Sequence, residues 1–149
     1  MINGLKIIGI SVRTINANGK SSEDLSNLWQ RFFVESIFDK IPNKISNDVL
    51  AIYTDYKSDF TEEYTAIIGC KVASIDSIPN GLIGREFPAE NFKKFTVKGQ
   101  MPQAVVSAWV EIWQNDSQLG RKYAYDFEVY DERSQNGENS VVEIYLSVK

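Results

Sequence analysis

The residues best suited to chemistry lie in Tyr125-Asp126-Phe127-Glu128-Val129-Tyr130, where strand alternation sends Phe127 and Val129 one way and Glu128 and Tyr130 the other. In the last apolar run Ile144, Leu146 and Val148 share one face, and Glu143, Tyr145 and Ser147 share the opposite one. If the two segments pair as a hairpin, Glu128, Tyr130 and Tyr145 can gather on one surface. A carboxylate ringed by aromatic side chains loses hydration, and its pKa rises unless a cation or a hydrogen-bond donor compensates. An organic cation supplies that compensation, and an indole or phenol face adds about 0.5–2 kcal/mol of cation–π attraction. The competing placement puts Glu128 on a solvated strand face or in an ion pair with Lys122 or Arg121.

Other chemistries are narrowed by what is missing. The 149-residue sequence has no histidine, which removes Ser-His-Asp and Cys-His nucleophile arrangements and the commonest ligand for zinc, copper and iron. Cys70, the lone cysteine, lies in the apolar run Ile67-Ile68-Gly69-Cys70 and reads as a core filler. The paired acids Glu62-Glu63 and Asp131-Glu132 lack calcium-loop spacing, and no phosphate-cradling glycine loop occurs, so neither metal nor cofactor is expected. A formal charge of −4 without a Lys/Arg cluster longer than a pair argues against direct nucleic-acid binding. No apolar run is long enough to span a bilayer and the start lacks a secretory pattern, so a cytoplasmic protein without membrane attachment is expected.

The elements that must position Glu128 follow from periodicity. Leu5 to Arg13 is β-branched and ends at the turn cluster Asn16-Ala17-Asn18-Gly19, so it reads as a strand. Ser21 or Ser22 offers an N-cap, and Leu25, Leu28, Trp29, Phe32, Phe33 and Ile37 form one helical stripe, stopped at Ile41-Pro42-Asn43. Val49 to Tyr56 and Tyr64 to Val72 read as strands. The order then repeats: a strand over Glu90 to Lys98, and a helix after Pro102 with Val105, Val106, Trp109, Ile112 and Trp113 on one stripe. Strands over Tyr125 to Tyr130 and Val141 to Val148 follow, joined through Asn136-Gly137, a hairpin-type turn signal. One domain over 1–149 is expected, with repeat one at 1–73, a linker at 74–88 and repeat two at 89–149.

A shift of about 77 positions brings Leu50-Ala51-Ile52-Tyr53 onto Phe127-Glu128-Val129-Tyr130, and the two tryptophan-bearing helices align with a slightly larger shift. The predicted fold is α+β: a duplicated strand-helix-strand-strand unit with pseudo-two-fold symmetry, a curved antiparallel sheet, two main helices and a central cleft. Glu128 stands where the first copy has Ala51, so the carboxylate breaks the internal symmetry, whereas Tyr130 stands where the first copy has Tyr53. Trp29, Trp109 and Trp113 on helical stripes read first as core. Which sheet face meets the helices is not encoded in alternation alone.

In order and spacing, several segments resemble the GyrI-like small-molecule-binding domains, the effector-binding domains of AraC-type and MerR-type multidrug regulators. These are Leu28-Trp29, Val49 to Tyr56 with Tyr64 to Val72, Phe87-Pro88-Ala89-Glu90-Asn91-Phe92-Lys93-Lys94-Phe95, Ala108-Trp109-Val110-Glu111-Ile112-Trp113, Asp126 to Tyr130 and Val142 to Val148. The resemblance implies a central cleft that takes lipophilic, often cationic, compounds between aromatic walls and a buried glutamate. Matched motif to motif, the glutamate falls on Glu128 and the walls on Tyr53, Trp109, Trp113, Tyr130 and Tyr145. The regulators carry a DNA-binding head before this domain, whereas here the first strand starts almost at Met1, so a stand-alone binding module is expected. Its partner is a small organic ligand, and a protein that reads the loaded state remains unspecified. Two other expectations come from the same resemblance: a hydrolase of reactive lipophilic electrophiles using the glutamate and a tyrosine, and a protein-interaction inhibitor such as a gyrase modulator.

Overall fold

The computed structural model describes residues 4–149, and the first three residues of the expected first repeat lie outside them. The elements are β1 (Leu5–Thr14), α1 (Lys20–Val34), the short α2 (Ile37–Lys40), β2 (Val49–Thr54), β3 (Tyr64–Lys71), β4 (Ile83–Phe87), β5 (Phe92–Lys98), α3 (Gln103–Gln114), β6 (Tyr125–Tyr130) and β7 (Val141–Ser147). The seven strands form one sheet in the order β4-β1-β3-β2-β6-β7-β5, antiparallel throughout. Leaving β4 aside, the order is a palindrome of the two repeats: β1, β3 and β2 answer to β5, β7 and β6. The duplicated unit and the pseudo-two-fold axis, which runs between β2 and β6, are as the sequence predicts.

The sheet curves because its two edges are joined by a very short connection. Only Pro88 to Asn91 separate the end of β4 from the start of β5, although the two lie at opposite edges. A flat sheet would hold edge strands six spacings apart, about 29 Å, whereas the connecting chain reaches at most about 18 Å. The edges therefore curl toward each other, and Phe87 of β4 and Phe92 of β5 both pack on the buried Tyr125 ring of β6, at 4.7 and 5.2 Å. This face of the sheet carries a helix-free core built on Leu5, Ile7, Leu50, Ile52, Ile67 and Phe127.

The other face carries the helices. Leu28 and Phe32 of α1 are buried over Ile8, Ile10, Ala66 and Ile68, and Ile112 of α3 is buried over Ile144 and Leu146. Helix α1 lies against β1 and β3 and helix α3 against β5, so each repeat covers its own outer strands and leaves the central β2–β6 pair open between the helices. At the β1–β3 pairing Gly9 faces Gly69, and a Cβ at Gly9 would fall inside van der Waals contact of the Ile68 carbonyl and the Gly69 Cα. Gly9→Ala is expected to destabilise the protein by about 1–3 kcal/mol through this overpacking, read as a fall in urea midpoint with unchanged m-value.

Three local features differ from the sequence expectation. The predicted linker 74–88 contains β4, which pairs with β1. Gly84 and the alternating Arg85 and Glu86 disguise it, as befits an edge strand with no apolar run of its own. Helix α1 begins at Lys20 rather than after a serine cap, because Gly19 in the left-handed region (φ 74°) turns the chain into it. The Asn136-Gly137 segment forms no two-residue hairpin turn. Two 3-10 turns, Glu132–Gln135 and Gly137–Asn139, fill the connection instead, since the chain between β6 and β7 is too long for a tight turn.

Candidate functional site

The repeat offset maps Ala51 onto Glu128, and the β2–β6 register pairs the same two residues directly. This coincidence places both on the pseudo-two-fold axis. Directly opposed Cβ atoms in an antiparallel pair lie about 5 Å apart, so the axis has room for one long side chain if its partner is small. Ala51 is that small partner, and Glu128 rises from the sheet into the gap between α1 and α3.

Repeat-equivalent side chains close around the carboxylate. Tyr53 donates its hydroxyl to Oε2 at 3.0 Å, and Tyr130, its counterpart in the second repeat, donates to Oε1 at 2.6 Å. Trp109 Nε1 donates to Oε2 at 2.6 Å. The tryptophans cross over between repeats: Trp29 of α1 meets Tyr130 edge-on at 4.9 Å, and Trp109 of α3 meets Tyr53 edge-on at 5.5 Å. Glu128 is 2 % exposed, and all its hydrogen-bond partners are neutral. Burial pushes its carboxyl above the ordinary glutamate range, while the Tyr130, Trp109 and Tyr53 donors pull it back in part. Tyr53 and Tyr130 are raised well above the usual phenol range by burial and by the carboxylate beside them, so both stay protonated donors at neutral pH.

Above Glu128 lies a cleft of about 1080 Å³ between the helices, lined by Trp29, Phe33, Tyr56, Phe60, Tyr64, Trp109 and Trp113 among others. Phe60 comes from the polar loop before β3 and stacks on Trp113 at 5.7 Å and 6°. Asn16 fixes that loop, donating to the Phe60 carbonyl at 3.0 Å and accepting from Tyr64 at 2.7 Å. Phe33 and Val106 leave an apolar rim at 65 and 58 % exposure. Asp48, Asp131 and Glu132 line another part of the cleft, and burial and the two neighbouring acids push the Asp48 carboxyl up.

Of the six residues singled out from sequence, Glu128, Tyr53, Tyr130, Trp109 and Trp113 meet at this cleft. Tyr145 does not. The β6–β7 register sets Tyr145 opposite Phe127 and Ile144 opposite Glu128, so the Tyr145 ring stacks on Phe127 at 4.7 Å on the helix-free face. Alternation assigns the two faces within each strand, but the parity of pairing between the strands is a long-range property that local sequence does not carry. Arg121 does not neutralise Glu128 either: it binds Asp126 at 2.6 Å and Asp116 at 3.2 Å, and Lys122 binds Glu90. Trp29, read first as core, and Phe60 were missed as cleft walls. The repeat equivalence of Trp29 with Trp109 is the signal that could have found the first.

Among the described residues no cluster of potential metal ligands occurs, and no helix is long and apolar enough to cross a membrane.

A duplicated strand-helix-strand-strand sheet with an aromatic cleft between its helices defines the class of effector-binding domains. The family model of the integron-associated effector-binding protein Cass2 matches residues 2–148, and the chain belongs to this family. The integron cassette protein VCH_CASS2 from the mobile metagenome of Vibrio cholerae shares 29% identity with it. The match covers 99% of this chain and 92% of that one, with a TM-score of 0.77. SAV2435, solved with bound tetraphenylphosphonium, shares 19% identity over 99% of this chain and 90% of its own, with a TM-score of 0.81, and so shares the fold. The transcriptional regulator BrlR of Pseudomonas aeruginosa is 26% identical over 133 residues, 85% of this chain and 47% of BrlR. The chain therefore spans about half the length of that curated relative.

Proposed function

We propose that the protein binds lipophilic organic cations in the cleft between α1 and α3, with Glu128 as the counter-charge and Trp29, Trp109, Trp113, Tyr53 and Tyr130 as the flat apolar contacts. The observation that carries this reading is a carboxylate 2 % exposed on the symmetry axis whose partners are all neutral. Such a charge has lost its hydration without gaining an opposite charge. A bound cation restores the balance, and its apolar substituents are taken up by the rings. The volume of the cleft suits a drug-sized molecule, and a fold neighbour holds tetraphenylphosphonium. The family membership supports an effector role, in which the loaded state is what a partner protein reads.

The experiment is a titration with tetraphenylphosphonium followed by intrinsic tryptophan fluorescence. Trp29 and Trp109 flank the carboxylate, so saturable quenching is expected, and no quenching by this or any other aromatic onium ion would reject the reading. The pH dependence has a definite sign. Protonation of Glu128 removes the attraction, so affinity is expected to fall on acidification. The midpoint should lie above the ordinary glutamate value of about 4.3, because burial raises this carboxyl. A midpoint at or below that value would show that another group governs binding.

A further inference from the structure

The hydrogen-bonding capacity of Glu128 sets which cations the cleft accepts. An ionised carboxylate has two oxygens and about four acceptor positions in its plane. Oε2 receives both Tyr53 and Trp109, and Oε1 receives Tyr130. One acceptor position is left, on Oε1, and Oε2 has none. An amidinium or guanidinium ion binds a carboxylate through two parallel N–H groups, one to each oxygen. It cannot do so here without displacing Tyr53 or Trp109. Both of those side chains are locked by packing, since their rings meet edge-on and Tyr53 is itself buried.

We propose that Tyr53 and Trp109, by filling Oε2, are specificity-determining residues that turn Glu128 into a charge without bidentate hydrogen-bonding capacity. The cleft then selects onium ions that carry no N–H donor, such as quaternary ammonium and phosphonium, over amidinium and guanidinium ions of the same size. The inference rests on the cation-binding reading above and names the ligand class of that site. An onium ion asks nothing directional of the carboxylate and gains from its charge and from the ring faces. An amidinium ion enters with at least one N–H desolvated and unpaired, which carries the penalty of a buried unsatisfied donor.

The test compares two probes of similar size, both cationic at neutral pH, by calorimetry: 4-biphenyl-trimethylammonium and biphenyl-4-carboxamidinium. With the wild-type protein the trimethylammonium probe is expected to bind about tenfold tighter or more. Tyr53→Phe frees an acceptor position on Oε2, so the affinity ratio is expected to shrink at least about threefold, chiefly by tightening of the amidinium probe. Trp109→Phe frees the same oxygen from the other side and is expected to move the ratio in the same direction. It keeps the test decisive if Tyr53→Phe fails to fold. An amidinium affinity equal to or tighter than that of the trimethylammonium probe in the wild type would overturn the proposal. So would an unchanged ratio in the folded variants. If neither probe, nor tetraphenylphosphonium, binds the wild type at all, the cation-binding reading itself falls and the selectivity falls with it.

Discussion

Glu128→Gln is expected to weaken tetraphenylphosphonium binding by at least about 30-fold while raising the melting temperature of the ligand-free protein. The loss follows from removing one member of a desolvated charge pair, which costs about 2–5 kcal/mol. Shape is preserved: the carboxamide oxygen can take the Oε2 position and accept from Trp109 and Tyr53, while the amide nitrogen donates to the Tyr130 hydroxyl, which rotates to accept. The gain in stability follows from linkage. Burial raises the Glu128 carboxyl above its unfolded value, so the folded state holds this proton to higher pH than the unfolded state does. Its contribution to stability is then full below the unfolded glutamate value and is lost as pH rises through the folded one. Glutamine is neutral throughout, so the variant should outlast the wild type at pH 7 to 8 and the difference should vanish in acid. Equal affinity in the two proteins would remove the electrostatic role assigned to Glu128, and a lower melting temperature for the variant at pH 7 would remove the claim that the carboxylate is held at a cost.

Arg121→Met is expected to cause the largest loss of stability, about 3–5 kcal/mol, or roughly 6–20 °C in melting temperature for a domain of this size. Arg121 is 5 % exposed and Asp126 is fully buried. Their ion pair at 2.6 Å ties the turn before β6 to β6 itself. Asp126 also accepts from Tyr56 at 2.6 Å and from the Ser147 backbone N–H at 2.9 Å, and the Arg121 guanidinium lies 4.2 Å from the Tyr123 ring centre. Removing the cation leaves the fully buried Asp126 carboxyl without its ion-pair partner. Adding Asp126→Asn should recover at least half of the lost stability, because the asparagine oxygen still accepts from Ser147 and no charge is stranded. A single variant that melts within 2 °C of the wild type, or a double variant no better than the single, would contradict this account.

These two acids show why a buried carboxylate cannot be assigned from its neighbours in sequence. Asp126 and Glu128 sit two residues apart on β6, and alternation places both on the same nominal face. Asp126 has an arginine and serves the fold, whereas Glu128 has neutral donors and faces the cleft. Chain proximity would have given Arg121 to either. The tertiary arrangement gives it to Asp126, because the turn before β6 brings the guanidinium over the end of the strand and holds it there through Asp116 and Tyr123.

Most of the architecture was legible in the chain. Apolar periodicity marked both main helices and six of the seven strands, and the offset of about 77 positions exposed the duplication. It also singled out Glu128 as the departure from symmetry and made Tyr53 and Tyr130 counterparts. β4 escaped because an edge strand needs no apolar run, and its pairing with β1 is a long-range event.

The helical stripes and the division of side chains between strand faces are therefore local properties, since they follow from periods of about 3.6 and 2 residues. Which faces meet is settled only when the strands pair. The β2–β6 register put Ala51 and Glu128 together on the axis, and the β6–β7 register sent Tyr145 to the far side with Phe127. Register is set by the packing of the whole sheet, and a slip of one residue exchanges the two faces. A cleft whose floor lies on a symmetry axis is built from two such registers at once, and local sequence encodes neither.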